Sequence, residues 1–155
     1  MKKSVYLDTT IPSYLFDKRE QLQYPCIMTR QWWTEERQQY DIYTSLETVA
    51  ELDQGNYPRK TEILEFVQQI SQLEPVEEIK EIVAYYLEHH LMPQVASGDA
   101  VHLAYASYYK IDFLLTWNCN HLANANKKRH IRVINSRLGL FSPELITPLE
   151  LFQER

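Results

Sequence analysis

Glycine is scarce in this chain, with 3 residues in 155, and cysteine is scarcer, with 2. So little glycine excludes collagen-like and glycine-rich low-complexity classes. No GxGxxG or Walker A loop exists to cradle a nucleotide phosphate. Cys26 and Cys119 stand far apart and form no CxxC pair, which excludes a zinc ribbon and a thioredoxin-like redox motif. Two free thiols in a reducing compartment are the expectation. Long hydrophobic runs are missing as well. After Met1-Lys2-Lys3, the apolar stretch Val5-Tyr6-Leu7 is cut by Asp8, too short for a signal-peptide core or a membrane span. A cytoplasmic protein with no membrane partner is expected. Positive charge is not in excess: 16 Lys+Arg face 21 Asp+Glu, for a net charge of −5. A generally basic nucleic-acid binder would look different. Contact with nucleic acid would need a local patch or a metal.

What is present is a chain that is 45% hydrophobic and 24% charged. A chain of about 150 residues buries roughly 70% of its unfolded surface. No repeat or linker divides it, so residues 1–155 are expected to form one domain. Ser4 to Asp8 and Asp41 to Thr44 read as short strands, and Asp112 to Thr116 as the most apolar one. Helices are expected over Ile11 to Phe16, Ile27 to Gln39, Ser45 to Asp53 and from Pro58. Further helices are expected over Glu77 to Leu91, over Gly98 to Tyr109 with Ser97 as N-cap, and over Ala125 to Leu138. Pro75-Val76 and Ile131 to Ile134 read as further short strands. Leu145 to Thr147 closes the series, followed by a short helix from Pro148. Short strands alternating with longer helices predict an α/β domain with a parallel sheet. Ligands in such folds bind at the C-terminal edge of the strands.

Polar groups from four distant segments fall at that edge. Asp8 ends the first strand, and Glu51 lies on the helix after the second. Asp99 sits in the first turn of the helix before the Phe113 strand, and Asn118 follows that strand. Two unit charges about 5 Å apart repel by roughly 3 kcal/mol at an effective dielectric of 20, a cost that a bound cation removes. Oxygen ligands without a matching Cys or His set select Mg²⁺ or Mn²⁺ over zinc. Glu47 lies one helical turn before Glu51, so spacing alone allows either as ligand.

Tyr6-Leu7-Asp8-Thr9-Thr10, Thr44 to Leu52, Gly98-Asp99-Ala100 and Leu114-Leu115-Thr116-Trp117-Asn118 resemble, in order, the four motifs of PIN-domain ribonucleases. The VapC-type toxin group is the most similar. The resemblance spans nearly the whole chain. It implies a three-layer α/β/α fold with a short, mostly parallel central sheet and an endoribonuclease dependent on Mg²⁺ or Mn²⁺. It also implies three partners: an RNA substrate, an antitoxin protein that blocks the site, and a second copy in a homodimer. By motif position Asp8, Glu51 and Asp99 match the first three acids, and the serine-to-acid distance favours Glu51 over Glu47. Asn118 falls where the family usually has a fourth Asp, and it contributes a carbonyl oxygen without charge. The implied metal set is therefore Asp8, Glu51, Asp99 and Asn118. Thr116 joins them as a residue that orients water or ligands. The implied products carry 5′-phosphate and 3′-hydroxyl ends.

Other features have two readings. His102, on the Asp99 helix face, is either a satisfied core histidine or a group behind the site; His121 is similarly placed near Asn118. The run Lys127 to Arg132 suits RNA phosphates or a solvated helix face. Trp32 and Trp33 could stack bases, but adjacent helical positions point apart, so at least one belongs to the core or an interface. A haloacid-dehalogenase-type site would need an Asp at position 10, where Thr10 stands, and a receiver-type acidic pair is absent. The remaining competitor is a catalytically weak PIN-fold module that binds RNA or protein, marked by Asn118.

Overall fold

The computed structural model describes residues 1–19 and 23–154. Strand β1 (Lys3–Leu7) runs into helix α1 (Thr10–Phe16), followed by α2 (Gln23–Glu36) and a 3₁₀ turn. Next come β2 (Tyr40–Thr44), α3 (Leu46–Leu52), α4 (Lys60–Gln68) and β3 (Ser71–Gln72). The second half carries α5 (Glu77–Glu88), α6 (Ser97–Tyr108), β4 (Phe113–Leu115), α7 (Ala125–Leu138) and β5 (Glu144–Ile146). The strands form one sheet in the order β3-β2-β1-β4-β5, and every pairing is parallel.

Alternate side chains of each strand enter opposite layers. Tyr6, Leu114 and Leu145 join the cluster built by α5, α6 and α7. Val5, Leu7, Leu115 and Ile146 join Ile11 of α1 and Trp32 of α2 on the other face. A smaller cluster of Leu52, Ile63 and Val67 binds α3 to α4. The result is the expected α/β/α sandwich. The chain leaves β1 toward β2 by way of α1 and α2 on one face, and leaves β4 toward β5 by way of α7 on the other. Strand order therefore reverses between β1 and β4, where the two connections part and open a crevice at the C-terminal strand ends.

Three local expectations are corrected. The third strand is Ser71–Gln72, not Pro75-Val76. Val76 is extended, at φ −129° and ψ 158°, but it serves as the N-cap of α5. Ile131 and Ile134 do not form a strand: three residues apart, both bury one face of an unbroken α7. Ser97 is not the cap of α6; its own dihedrals, φ −59° and ψ −31°, are already helical because a 3₁₀ turn over Gln94–Ala96 feeds the helix. The working cap is at α7, where the Asn124 side chain accepts from the Lys127 N–H at 2.8 Å. That helix ends in a Schellman turn: the Leu140 N–H reaches the Asn135 carbonyl at 2.8 Å, and Gly139 takes the left-handed conformation at φ 69°.

Asn135 joins α5, α6 and α7 inside the core. It accepts from the Tyr86 hydroxyl at 2.5 Å and donates to Ser107 Oγ at 3.0 Å and to the Phe141 carbonyl at 3.2 Å. Removing it strands several buried polar groups at once. Asn135→Ala is expected to cost about 3 kcal/mol of stability, read as a lower urea midpoint at unchanged slope.

Candidate active site at the β1–β4 crevice

Asp8 follows β1 directly and is 2% exposed. A buried carboxylate needs hydrogen bonds, and the adjacent threonines provide them. Its Oδ1 accepts from the Thr10 N–H at 2.9 Å and from the Thr10 hydroxyl at 2.5 Å. Its Oδ2 accepts from the Thr116 hydroxyl. Each hydroxyl also receives a backbone donor from the β4 exit: Trp117 N–H to Thr10 Oγ1 and Asn118 N–H to Thr116 Oγ1, both at 2.9 Å. Asp8 is thus the knot between the ends of β1 and β4. Burial pushes its carboxyl up, with the charge of His102 and the two threonines acting against that push.

The same loop carries the site to α6. The Asn118 amide donates to Asp99 Oδ2 at 2.7 Å. Its carbonyl oxygen accepts from the Asn120 and His121 backbone N–H groups, each at 3.1 Å. Asp99 lies in the first turn of α6. Burial, followed by the charge of Asp8, pushes its carboxyl up from 3.8 to about 6.

Glu51 comes from α3. Its Oε1 accepts from the Thr9 hydroxyl at 2.5 Å and from His102 Nε2 at 2.5 Å. Burial pushes Glu51 up, but His102 and Thr9 outweigh it and hold the carboxyl below its ordinary value. The ring of His102 is 1% exposed, and burial of the imidazole is outweighed by Glu51, so its pKa lies above the usual value. Glycine at position 98 lets the carboxylates approach: a Cβ there would stand 2.6 Å from Glu51 Oε2 and 3.4 Å from Glu47 Oε1, so the Glu51 carboxylate would have to shift. Glu47 therefore reaches the same cradle, and burial pushes its carboxyl up.

The structure brings Asp8, Glu51, Asp99, Thr116 and Asn118 to one place. Among the described residues no three Asp, Glu, His or Cys side chains stand in a metal-ligating arrangement. Glu51 Oε1 faces His102, and Asn118 presents its NH₂ group to Asp99. The donor chemistry nonetheless fits a hard divalent cation. The carboxylates are crowded enough for Asp8 to raise Asp99, and glycine leaves space beside them.

Thr9, Thr10, Tyr6 and Gly98 belong to the site although their sequence context marked them only as motif neighbours. The spacing of Asp99 and His102 was the one available signal for the histidine. Elsewhere, Trp32 is excluded from base stacking: it is fully buried, and its indole donates to the Leu151 carbonyl at 3.1 Å. Trp33 packs against Phe66 and beneath Arg37. Lys127 is tied to the Leu91 carbonyl, so Arg129 and Arg132 are the exposed cations of the basic run. Cys26 is buried and Cys119 exposed, and both are free thiols. A cavity of about 670 Å³ near the start of β2, lined by Lys2, Trp33, Arg37 and Tyr40 among others, holds none of the site acids. No helix among the described residues is long and apolar enough to cross a membrane.

This sheet order, with acids from the end of β1, from α3 and from α6 at one crevice, defines a class of parallel α/β domains with an acidic site at the topological switch. The PIN domain family model matches residues 5–125, and the chain belongs to the PIN domain family. PIN domains are generally nucleases, and typically use divalent metal ions. The fold is similar to that in a crystal structure of FitAcB from Neisseria gonorrhoeae, with a TM-score of 0.56 at 18% identity. That likeness covers 95% of this chain and 99% of the other. No curated protein matches the sequence.

Charge crowding in the metal-free protein has a measurable consequence. The folded pKa of Asp99 is raised, so the native state carries an ionisation penalty in full above about 6, relieved as pH falls toward 3.8. Asp99→Asn keeps an acceptor for Asn118 and removes the charge. In a chelator at about pH 7.5 this variant should melt above the wild type, with the gap narrowing below about pH 6 and nearly closed by about pH 4.

Proposed function

We propose that this chain is a metal-dependent endoribonuclease that hydrolyses RNA phosphodiester bonds and serves as the toxin of a toxin–antitoxin pair. The observation that carries the reading is the convergence of Asp8, Glu51 and Asp99 at the topological switch of a PIN fold. Held by these three carboxylates, Mg²⁺ or Mn²⁺ would supply Lewis acidity toward a phosphoryl oxygen and lower the pKa of a bound water. Asp8, clamped by Thr10 and Thr116, keeps its carboxylate fixed at the strand ends. Thr116 also fixes the Asn118 backbone, and the Asn118 amide holds Asp99 toward the crevice. With its carbonyl given to two backbone N–H groups, Asn118 acts in this reading as a positioning residue and leaves the metal to the three acids. Glu47, at the same glycine cradle, adds negative potential one turn away.

The chain acts in this reading as one nuclease domain over residues 1–155, because β5, beyond the span of the family match, completes the same sheet. A cytoplasmic location, a homodimer and an antitoxin partner accompany the toxin assignment by family resemblance. The likeness to FitAcB supports the fold on which that assignment stands. With a net charge of −5, RNA binding should lean on the cation and on Arg129 and Arg132.

The decisive assay incubates the purified protein with single-stranded RNA in Mn²⁺, in Mg²⁺ and in chelator. Cleavage is expected only with metal, leaving 5′-phosphate ends, and is expected to fall by at least about 100-fold in Asp8→Asn and Asp99→Asn. Equal cleavage by these variants would sink the assignment. Gly98→Ala, which pushes on the Glu51 carboxylate at the end of a flexible side chain, should lose activity and keep a cooperative melt.

One observation favours a second reading. The Asn118 NH₂ group faces Asp99 where the family pattern has a fourth acid, which suits a module that binds RNA or protein without cutting. Tight RNA binding that is indifferent to chelator, with no cleavage, would select it.

A further inference from the structure

Behind the acids runs a buried polar line that the proposed reaction does not use. Tyr6 Oη meets Ser45 Oγ at 2.6 Å and His102 Nδ1 at 2.7 Å. His102 Nε2 donates to Glu51 Oε1 at 2.5 Å. Its members come from the same elements as the acids. Tyr6 precedes Asp8 by two residues, on the same side of β1. His102 follows Asp99 by three on α6, one turn along. Ser45 caps the helix that carries Glu51. Tyr6, Ser45 and His102 are all essentially excluded from solvent.

The line ends on one oxygen of one acid. Oε1 of Glu51 receives both His102 and Thr9, whereas Oε2 lies over Gly98, next to Asp99. A buried ring N–H needs an acceptor, and the acceptor here is the carboxylate of a site acid. Here the Tyr6 contact on Nδ1 fixes the plane of the ring, so that Nε2 is aimed at Glu51 from a fixed point.

We infer that His102 is a positioning residue: with Thr9 it ties back Oε1 of Glu51, so that Oε2 is the oxygen offered to a divalent cation beside Asp99. The inference rests on the nuclease reading and adds to it the group that orients the third acid. Partners that orient a ligand in this way are worth 10–100-fold in metal affinity.

Two isosteric amides separate the two nitrogens of the ring. The amide nitrogen of Gln reaches the place of Nε2, and that of Asn the place of Nδ1. Wild type, His102→Gln, His102→Asn, Thr9→Val and Glu51→Gln are titrated with Mn²⁺ alone, with free Mn²⁺ read by electron paramagnetic resonance and folding by thermal melts. His102→Asn should weaken Mn²⁺ binding by about 10-fold or more, and His102→Gln should restore most of it. Thr9→Val, with the ring intact, should fall between them and the wild type. Combining His102→Asn with Glu51→Gln should add little to Glu51→Gln alone. Equal binding by the two amide variants, whether both weak or both unchanged, overturns the inference and leaves the nuclease reading standing. If either amide variant does not fold, Thr9→Val decides: wild-type Mn²⁺ affinity in that variant overturns the inference. A wild-type protein that binds no Mn²⁺ overturns the nuclease reading itself, and the inference with it.

Discussion

A carboxylate taken out of water at the junction of two strands organises this molecule. Asp8 is buried to within 2%, and an ionised group there is tolerated only when its oxygens are satisfied. Thr10 and Thr116 do this from opposite sides of the crevice. Because each hydroxyl also accepts a backbone N–H from the β4 exit, the pair that neutralises the cost of Asp8 also sets the separation of β1 and β4. The loop from Thr116 through Asn118 to the start of α7 is held from that point, and Asp99 is reached through Asn118. Without the buried acid, both threonines would lose their common partner and the crevice its floor.

The site is therefore two layers deep. The outer layer is acidic and crowded, as the raised carboxyl of Asp99 records. The inner layer is neutral or cationic and fully hydrogen-bonded, running from Ser45 through Tyr6 to His102. The satisfied polar floor supports a net negative cluster whose charge costs stability and which a cation would neutralise. The overall acidity of the chain thus says little about its substrate, because part of that acidity is gathered where its field would be inverted by metal.

The alternation of strand and helix was legible along the chain because burial patterns follow the periods of the two structures: Val5, Tyr6 and Leu7 are all buried in a strand covered on both faces, and Ile79, Ile82 and Tyr86 fall on one helical stripe. The errors fall where local propensity meets a non-local partner. Ser71–Gln72 is a strand only because Tyr43 and Thr44 lie beside it. Ile131 to Ile134 is β-branched but helical, because the core under α7 takes residues three apart. For the site, the motif spacing was enough to name Asp8, Glu51, Asp99, Thr116 and Asn118 as neighbours. It could not say which way each side chain turns.

By itself the sequence determined the class of fold, the order of its elements and the acids that arrive at one edge, since periodicity and strand ends are local properties carried by adjacent residues. Only the tertiary structure decided that Asn118 gives its amide to Asp99 and its carbonyl to the backbone, that Glu51 is tied to His102, and that Gly98 leaves space for a carboxylate. Each of these depends on contacts between residues far apart in the chain. Hydrogen-bond direction and close approach are settled by where three elements meet, which no window along one of them contains.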